Sequence, residues 1–388
     1  MALINTGFDE LSHKIAEAVE KEAPLIDELR AQVRQLEVRK LGSRPCRSIA
    51  PVATDGGENR LSFEPLNLEI IRVVDSNGED LVQEVIPLSD PESVFASYAD
   101  RLPVLRSLLA KLGIAFRDLS FLLGRTAQKS RDEPDRPPDV RGQVRSFRDI
   151  VEWAVLLDLA SKDWPTEVLL LRDGLLRTKV LKLSTFPLLD KAFRGAFEEQ
   201  SRGNKHRVYL LGVAKTSAVL SKLSLALTLE GVFERDYPCY AEVPRELEEQ
   251  CYNFDKTWLD TAEDRAAGDP ERYQSFGRLH LVKLAPRSMA PVFPVDVPVW
   301  LMKQPQTRQM VLEYLAYDAQ DTFPTVGYPG SLQKAHDYAV LNGLEMTVLG
   351  DMMVQALLGR TDPALVEKLL RHINLNRGLA KGGVRNAG

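Results

Sequence analysis

The sequence has few cysteines and lacks the motifs with which several enzyme classes bind their cofactors. Its three cysteines, Cys46, Cys239 and Cys251, have neither CxxC nor CxxH spacing. We therefore expect reduced thiols rather than a disulfide framework or a structural zinc site. The chain contains no GxxxxGK(S/T), GxGxxG, GxSxG or HExxH pattern, and no HxE followed by PCxxC. At the level of motifs, this excludes nucleotide-driven motors, dinucleotide enzymes, serine hydrolases, zincins and zinc deaminases.

Long apolar runs are also absent. The most apolar stretch, AVLSKLSLALTLEGVF, contains Lys222, and no uncharged run approaches the ~18 residues that a membrane-spanning helix requires. The N-terminus has no basic segment followed by an apolar one, which is the order typical of a secretory signal. We therefore expect a protein without a membrane span, located in the cytoplasm.

The net charge of −5, from 50 Lys and Arg against 55 Asp and Glu, is distributed unevenly. Residues 172–207 contain nine basic and four acidic side chains, and residues 360–388 contain six and two. The compensating acid lies in residues 240–271, with ten acidic against three basic side chains. A phosphate backbone responds to the local potential of a surface, so the negative total does not exclude a nucleic-acid partner.

Helical and strand patterns alternate along the 388 residues. Residues 9–40 predict a long amphipathic helix, kinked at Pro24. The runs SIAPVATDGG, LEIIRVV and LVQEVIP predict strands, and DSNGED joins the last two as a hairpin. Farther along, helices alternate with strands, which indicates an α/β layer with parallel neighbours. Its last two predicted strands are FGRLHLVKLA and PVWLMK.

These patterns predict that the chain is divided into three parts. Residues 1–42 form an N-terminal helical arm, residues 43–343 form an α/β domain, and residues 344–388 form a C-terminal helical extension. Within the domain, the acidic composition of about residues 236–272 predicts an irregular insertion.

Acidic residues at the ends of predicted strands are the main candidates for chemistry. Asp55 ends VATDGG and Asp173 ends VLLLRDG, each with glycine behind it. Carboxylates that converge from neighbouring strand ends suit hard divalent cations, and two such ions can stabilise the attacking and leaving oxygens of a phosphodiester. Each Asp-Gly alone is more commonly a turn, but the two together favour a metal-dependent nuclease.

Two further charged residues have a functional and a plain structural interpretation. Glu152 lies on an apolar stretch of the helix before the Asp173 strand, where a carboxylate is costly to bury unless it is paired or metal-bound. The alternative is a helix-edge Glu that reaches solvent, with Asp149 and Asp158 as competitors on the same helix. Lys215 follows the strand VYLLGVA and precedes a helix, a position that suits a phosphate. Its alternative is a solvated surface lysine.

The segment GYPGSLQKAHDYA contains the remaining candidates. His336 lies one helical turn after Leu332 and points along the packed side of the predicted helix. An isolated histidine there is more commonly a hydrogen-bonded core residue than a metal ligand. Tyr328 and Pro329 open the same unit, which is otherwise typical of a loop before a helix.

The ordered set ATDGG, a helical Glu, LLRDGLL, GVAKTS and GYPGSLQKAH resembles the NurA family, the nuclease partners of the HerA translocase. The match extends from about Cys46 to Tyr338. Its most specific part is the closing motif, which contributes Gly327, Tyr328, Pro329, Leu332, Ala335 and His336. The resemblance implies a ribonuclease H-like mixed sheet flanked by helices. It also implies manganese-dependent cleavage of DNA, as a 5′–3′ exonuclease and single-strand endonuclease, by a homodimer that is stacked on a hexameric HerA-type ATPase.

Carried over by position, the resemblance implies a role for each candidate. Asp55, Glu152 and Asp173 would bind two ions, with manganese as the expected metal and magnesium as the alternative. His336 would be a further ligand or a neighbour of the metals, and Tyr328 would position substrate or water. Lys215 would contact the scissile strand.

Two departures from the family pattern are visible. Gly57 stands where the family often has Ser, and Glu152 matches only by its position before the Asp173 strand.

Two other functions stay open: a non-catalytic DNA-binding or assembly subunit of the same fold, and an RNA-directed nuclease. DNA end resection and phage defence are equally compatible with the sequence. Because the chain has no ATP-binding loop, we expect a separate ATPase to supply strand separation and movement.

Overall fold

In its described residues, the computed structural model contains a nine-stranded sheet with helices on both faces. It describes residues 2–42, 48–63, 66–89, 91–119, 140–177, 180–181, 185–203, 206–252, 275–320 and 322–368. Cys46 lies outside these residues, as do most of the acidic insertion and the end of the C-terminal extension. The expected α/β class, a mixed sheet flanked by helices, is confirmed. Among the described helices, none is both long enough and apolar enough to cross a membrane.

The strands follow the order β1-β7-β8-β9-β6-β5-β2-β3-β4 across the sheet. Their bounds are β1 Arg39–Lys40, β2 Ala50–Phe63, β3 Leu66–Asp75, β4 Asp80–Pro87, β5 Val168–Asp173, β6 Val208–Val213, β7 Cys239–Glu242, β8 Gly277–Lys283 and β9 Val292–Pro298. An antiparallel meander, β2-β3-β4, continues into β5 and β6, which run parallel to β2. The predicted hairpin of β3 and β4 is confirmed. The carboxyl ends of β5 and β6, and the middle of the longer β2, therefore meet at one edge.

The helices are numbered in chain order within the described residues. They are α1 Ala2–Val33, α2 Pro91–Arg101, α3 Pro103–Leu112, α4 Phe116–Leu119, α5 Val140–Ser161, α6 Phe186–Gly203, α7 Ala218–Leu229, α8 Arg245–Tyr252, α9 Val299–Met302, α10 Pro305–Asp318, α11 Gly330–Ala339 and α12 Gly343–Leu358.

The two faces of the sheet pack against different helices. On one face, Val52 and Leu170 belong to a core that includes Trp153 of α5. On the other face, Ala53 and Leu171 belong to a core with α10 and α11. Since side chains alternate along a strand, even-numbered residues of β2 and β5 point towards α5 and odd-numbered ones towards α11. This alternation determines which side chains can meet at the edge.

The N-terminal helix is shorter at its C-terminal end than the sequence predicts. It ends at Val33 instead of residue 40, with Pro24 inside it, and Arg39–Lys40 forms strand β1 on β7. Local periodicity continues through this segment, but pairing with a distant strand edge overrides it. Leu29 and Val33 are buried with α7, whereas the apolar side chains nearer the N-terminus are exposed. These are Phe8, Leu11, Ile15 and Val19.

Two other predictions were wrong in the second half of the sheet. The expected irregular insertion starts with ordered elements, because Cys239–Glu242 is strand β7 and Arg245–Tyr252 is helix α8. PVWLMK is not a strand; Val299–Met302 is a helical turn, and the strand is the preceding β9. Strand β9 is difficult to recognise from the sequence because it contains two prolines and Asp296. In the structure, Asp296 is fully buried and accepts hydrogen bonds from Leu176 N at 2.8 Å and from the guanidinium of Arg177.

Asp55 does not end a strand, as the sequence predicted, but lies inside β2. The pairing of β2 with β3 continues from Thr54 to Phe63, while its pairing with β5 stops at Thr54 opposite Arg172. Asp55 is thus the first residue of β2 beyond β5. The two glycines that follow make no turn. A side chain on Gly56 would collide with Glu152, and one on Gly57 would collide with the carbonyl of Ala339.

Gly57→Ala is expected to lower the free energy of unfolding by about 1–3 kcal/mol, because the new methyl group would meet the backbone of α11. Urea denaturation measures the change. Gly195→Ala on α6 is the matched control, because a methyl group there would meet nothing within 4 Å apart from the backbone of its own helix. It is expected to be neutral or to stabilise by up to about 1 kcal/mol. Equal stability of Gly57→Ala and the wild type would contradict the close packing of α11 on β2.

Candidate metal centre

Three side chains that can bind a metal converge where β2 and β5 separate. Asp55 of β2, Asp173 at the end of β5 and His336 of α11 each offer one ligand atom, and these atoms lie within 4.8 Å of one another. His336 Nδ1 is 2.8 Å from Asp55 Oδ2. Both carboxylates are largely buried, while the His336 side chain is 42% exposed. The cluster is therefore open to solvent on its histidine side.

The position of His336 follows from how α11 is anchored. At its start, the amide and hydroxyl of Ser331 both donate hydrogen bonds to Asp318 Oδ2, at 3.1 and 2.6 Å, and so attach α11 to the end of α10. Near its end, the absence of a side chain on Gly57 lets Ala339 approach β2. The same side of α11 is buried in the core at Leu332 and Ala335. The helix therefore holds His336 above Asp55.

Tyr328 and Lys215 complete the surroundings of Asp173. The fully buried Tyr328 donates a hydrogen bond from its hydroxyl to Asp173 Oδ1 at 3.1 Å. Lys215 Nζ is 3.8 Å from Asp173 Oδ2 and 5.2 Å from the centroid of the Tyr328 ring. The Lys215 side chain is 43% exposed. The tyrosine thus orients the carboxylate from inside the protein, and the lysine presents a positive charge on the solvent side.

The electrostatics of the cluster favour a bound cation. Burial, and then the charge of Asp55, raise the pKa of Asp173 above its usual value, while Lys215 acts in the opposite direction. Burial and the neighbouring Asp173 also raise the pKa of Tyr328, so its hydroxyl stays protonated as a donor. The charge of Asp55 disfavours the charged form of Asp173, and a divalent cation between the two carboxylates would remove that cost.

Glu152 lies on the other face of the sheet, beside the cluster but not in it. Its carboxylate is 3.2 Å from Arg148 Nε and 3.5 Å from Arg172 Nη2, and it fills the space left by Gly56. Burial raises the pKa of Glu152 to about 8, although both arginines act in the opposite direction. A role as metal ligand stays a prediction. Asp149 and Asp158 were the alternative acidic residues on the same helix. Asp149 pairs with Arg172, and Asp158 is exposed.

The donor set fits a first-row divalent ion. Carboxylate oxygens suit magnesium and manganese alike, and the imidazole nitrogen of His336 favours manganese. The strand-end pattern placed Asp55, Asp173 and Lys215 at one edge of the sheet, and the resemblance added Tyr328 and His336. In the structure these five side chains lie together. The sequence analysis did not single out Arg172, whose signal was a basic residue between the apolar run VLLL and Asp173.

His336→Ala is expected to weaken Mn²⁺ binding by about 10- to 100-fold, and Tyr328→Phe by a smaller factor. The first variant removes a ligand atom, whereas the second removes only the hydroxyl that orients Asp173. The electron paramagnetic resonance signal of unbound Mn²⁺ gives both dissociation constants. Wild-type affinity in His336→Ala would leave this histidine as a hydrogen-bond partner of Asp55 and not a metal ligand.

Comparison with known proteins finds a distant likeness in fold. No protein-family model matches the sequence, and no curated protein is significantly similar to it. The crystal structure of the NurA nuclease from Sulfolobus solfataricus matches with 13% identity and a TM-score of 0.36, over 91% of this chain and 98% of that one. A structure of NurA bound to dAMP and manganese matches with 11% identity and a TM-score of 0.32, over 85% and 93%. Similarity at this level does not assign an activity to the chain.

Proposed function

We propose that this protein is a metal-dependent nuclease that hydrolyses phosphodiester bonds of DNA. The observation that carries the proposal is the cluster of Asp55, Asp173 and His336, with three ligand atoms within 4.8 Å and a lysine 3.8 Å from Asp173. Carboxylates and a cationic side chain at one solvent-facing edge suit a reaction in which negative charge builds up on a phosphate. The substrate assignment to DNA depends on the motif resemblance to the NurA family.

A divalent cation held by Asp55, Asp173 and His336 would supply Lewis-acid chemistry, lowering the pKa of water and neutralising phosphate charge. Lys215 binds a phosphate oxygen of the substrate with its exposed ammonium group. The buried Tyr328 keeps Asp173 in one orientation through its hydrogen bond. We propose two ions, manganese or magnesium, with Glu152 as the additional carboxylate, because it lies against Gly56 next to Asp55.

The alternative function is a non-catalytic DNA-binding or assembly subunit. Two adjacent carboxylates at the edge of the sheet argue against it, because without a cation they would repel a phosphate backbone. A nuclease directed at RNA would use the same side chains. Cleavage assays on both nucleic acids distinguish these possibilities.

Asp55→Asn and Asp173→Asn are each expected to reduce Mn²⁺-dependent cleavage of linear DNA by at least about 100-fold. Oligonucleotides labelled at the 5′ or 3′ end, incubated with Mn²⁺, Mg²⁺ or EDTA, report activity, metal preference and the expected 5′–3′ polarity. Asp158→Asn is the matched control, an exposed acid on α5, and should cleave like the wild type. Wild-type rates in either site variant, or cleavage in EDTA, would contradict the proposal.

We further propose that the nuclease is a homodimer that works with a HerA-type hexameric ATPase in DNA end resection or phage defence. The sequence has no ATP-binding loop of its own. The exposed apolar residues of α1, and Leu344 and Met352 on α12, offer surfaces that a partner could cover.

Light scattering is expected to give a dimer mass at micromolar concentration. Duplex digestion is expected to increase when the ATPase and ATP are added, since a motor would feed strands to the site. A monomer would contradict the first expectation. Digestion that is the same with and without ATPase and ATP would leave a nuclease that acts alone.

A further inference from the structure

Arg172 is a buried charged residue directly before Asp173. Its side chain points to the α5 face of the sheet, opposite to that of Asp173, and only 6% of the residue is exposed. The guanidinium carbon lies 4.6 Å from the ring centroid of Trp153. A buried arginine with this packing is costly unless its donors have partners. Its partners therefore indicate what it does.

The guanidinium contacts three residues in two parts of the chain. Nη1 donates a hydrogen bond to the carbonyl of Leu175 at 2.9 Å, in the loop that follows Asp173. Nη2 donates to Asp149 and lies 3.5 Å from Glu152, both on α5. A side chain at Gly174 would collide with Nη1, so the loop folds closely over the guanidinium.

These contacts bridge the point where the two metal-binding strands separate. Thr54 opposite Arg172 is the last pair between β2 and β5. The next residues, Asp55 and Asp173, have no ladder between them. Arg172 belongs to β5, and its partner Glu152 rests against Gly56 of β2. Side chains on the α5 face thus connect the two strands where backbone hydrogen bonds no longer do.

Arginine suits this position better than lysine. The planar guanidinium carries donors in fixed directions and can serve a carbonyl and two carboxylates at the same time. A lysine would keep the charge but offer a single ammonium on a flexible stem. Residues that orient metal ligands from behind typically change metal affinity 10- to 100-fold when they are replaced.

We propose that Arg172 is a positioning residue of the metal centre: by holding Glu152 and the loop after Asp173, it fixes the separation of the Asp55 and Asp173 carboxylates. This inference rests on the proposed metal-dependent function of the same site. It predicts that Mn²⁺ affinity depends on the shape of the side chain at position 172 as well as on its charge.

The test compares Arg172→Lys with Arg308→Lys in the full chain. Arg308 is equally buried, at 7% exposure against 6%, and contacts Glu242 on β7. Mn²⁺ dissociation constants are obtained from the electron paramagnetic resonance signal of the unbound ion. The midpoints of thermal unfolding are measured without metal. Arg172→Lys is expected to raise the dissociation constant about 10- to 100-fold. Arg308→Lys is expected to leave it unchanged, whatever its effect on the thermal midpoint.

If Arg172→Lys does not fold, Asp149→Ala replaces it, because it removes one partner of the same guanidinium from the partly exposed surface of α5. It is expected to raise the dissociation constant by a smaller factor.

An unchanged dissociation constant in whichever variant is measured, or an equal rise in Arg308→Lys, overturns the role of Arg172 and leaves the proposed nuclease intact. A wild-type protein that binds Mn²⁺ but cleaves no nucleic acid overturns the nuclease, and the comparison of affinities still decides the role of Arg172. A wild type that does not bind Mn²⁺ overturns both.

Discussion

The separation of β2 from β5 after Thr54 is the constraint on which the candidate metal centre depends. Up to that residue the two strands share a parallel ladder, and beyond it β2 follows β3 while β5 ends beside β6. Two carboxylates are left at the gap, largely buried and close to each other. Elsewhere in the core such an arrangement would be costly, and here the surrounding side chains are arranged to hold it.

Both faces of the sheet contribute to that arrangement. On one face α11 brings His336 to Asp55, and Tyr328 orients Asp173. On the other face Glu152 and Arg172 occupy the space behind the strands. Gly56 and Gly57 make both approaches possible, since each lacks the side chain that would block one of them. A strand segment without bulk on either face thus lets helices from both sides reach the same point.

The sequence predicted the parts of this site that depend on local pattern. Apolar strands followed by an acid indicated Asp55 and Asp173, whereas only the resemblance to the NurA family indicated His336, because its pattern alone favoured a core histidine. The turn that Asp-Gly commonly indicates does not form at Asp55, because the same dipeptide also occurs where a strand packs tightly against its neighbours. Strand β9 and the anchoring of Arg172 could not be predicted, because buried Asp296 and Arg172 are explained only by distant partners. Long-range pairing, as in β1 on β7, leaves no periodicity to detect.

The proposed activity depends on the binding of a divalent cation by Asp55, Asp173 and His336. A crystal of the protein grown or soaked with Mn²⁺, measured at a wavelength where manganese scatters anomalously, tests it most directly. The structure predicts an anomalous peak in contact with one oxygen of each aspartate and a nitrogen of the histidine, at distances of about 2.0–2.3 Å. A map without a peak among these three side chains at saturating Mn²⁺, or with its main peak at other residues, would contradict this metal site.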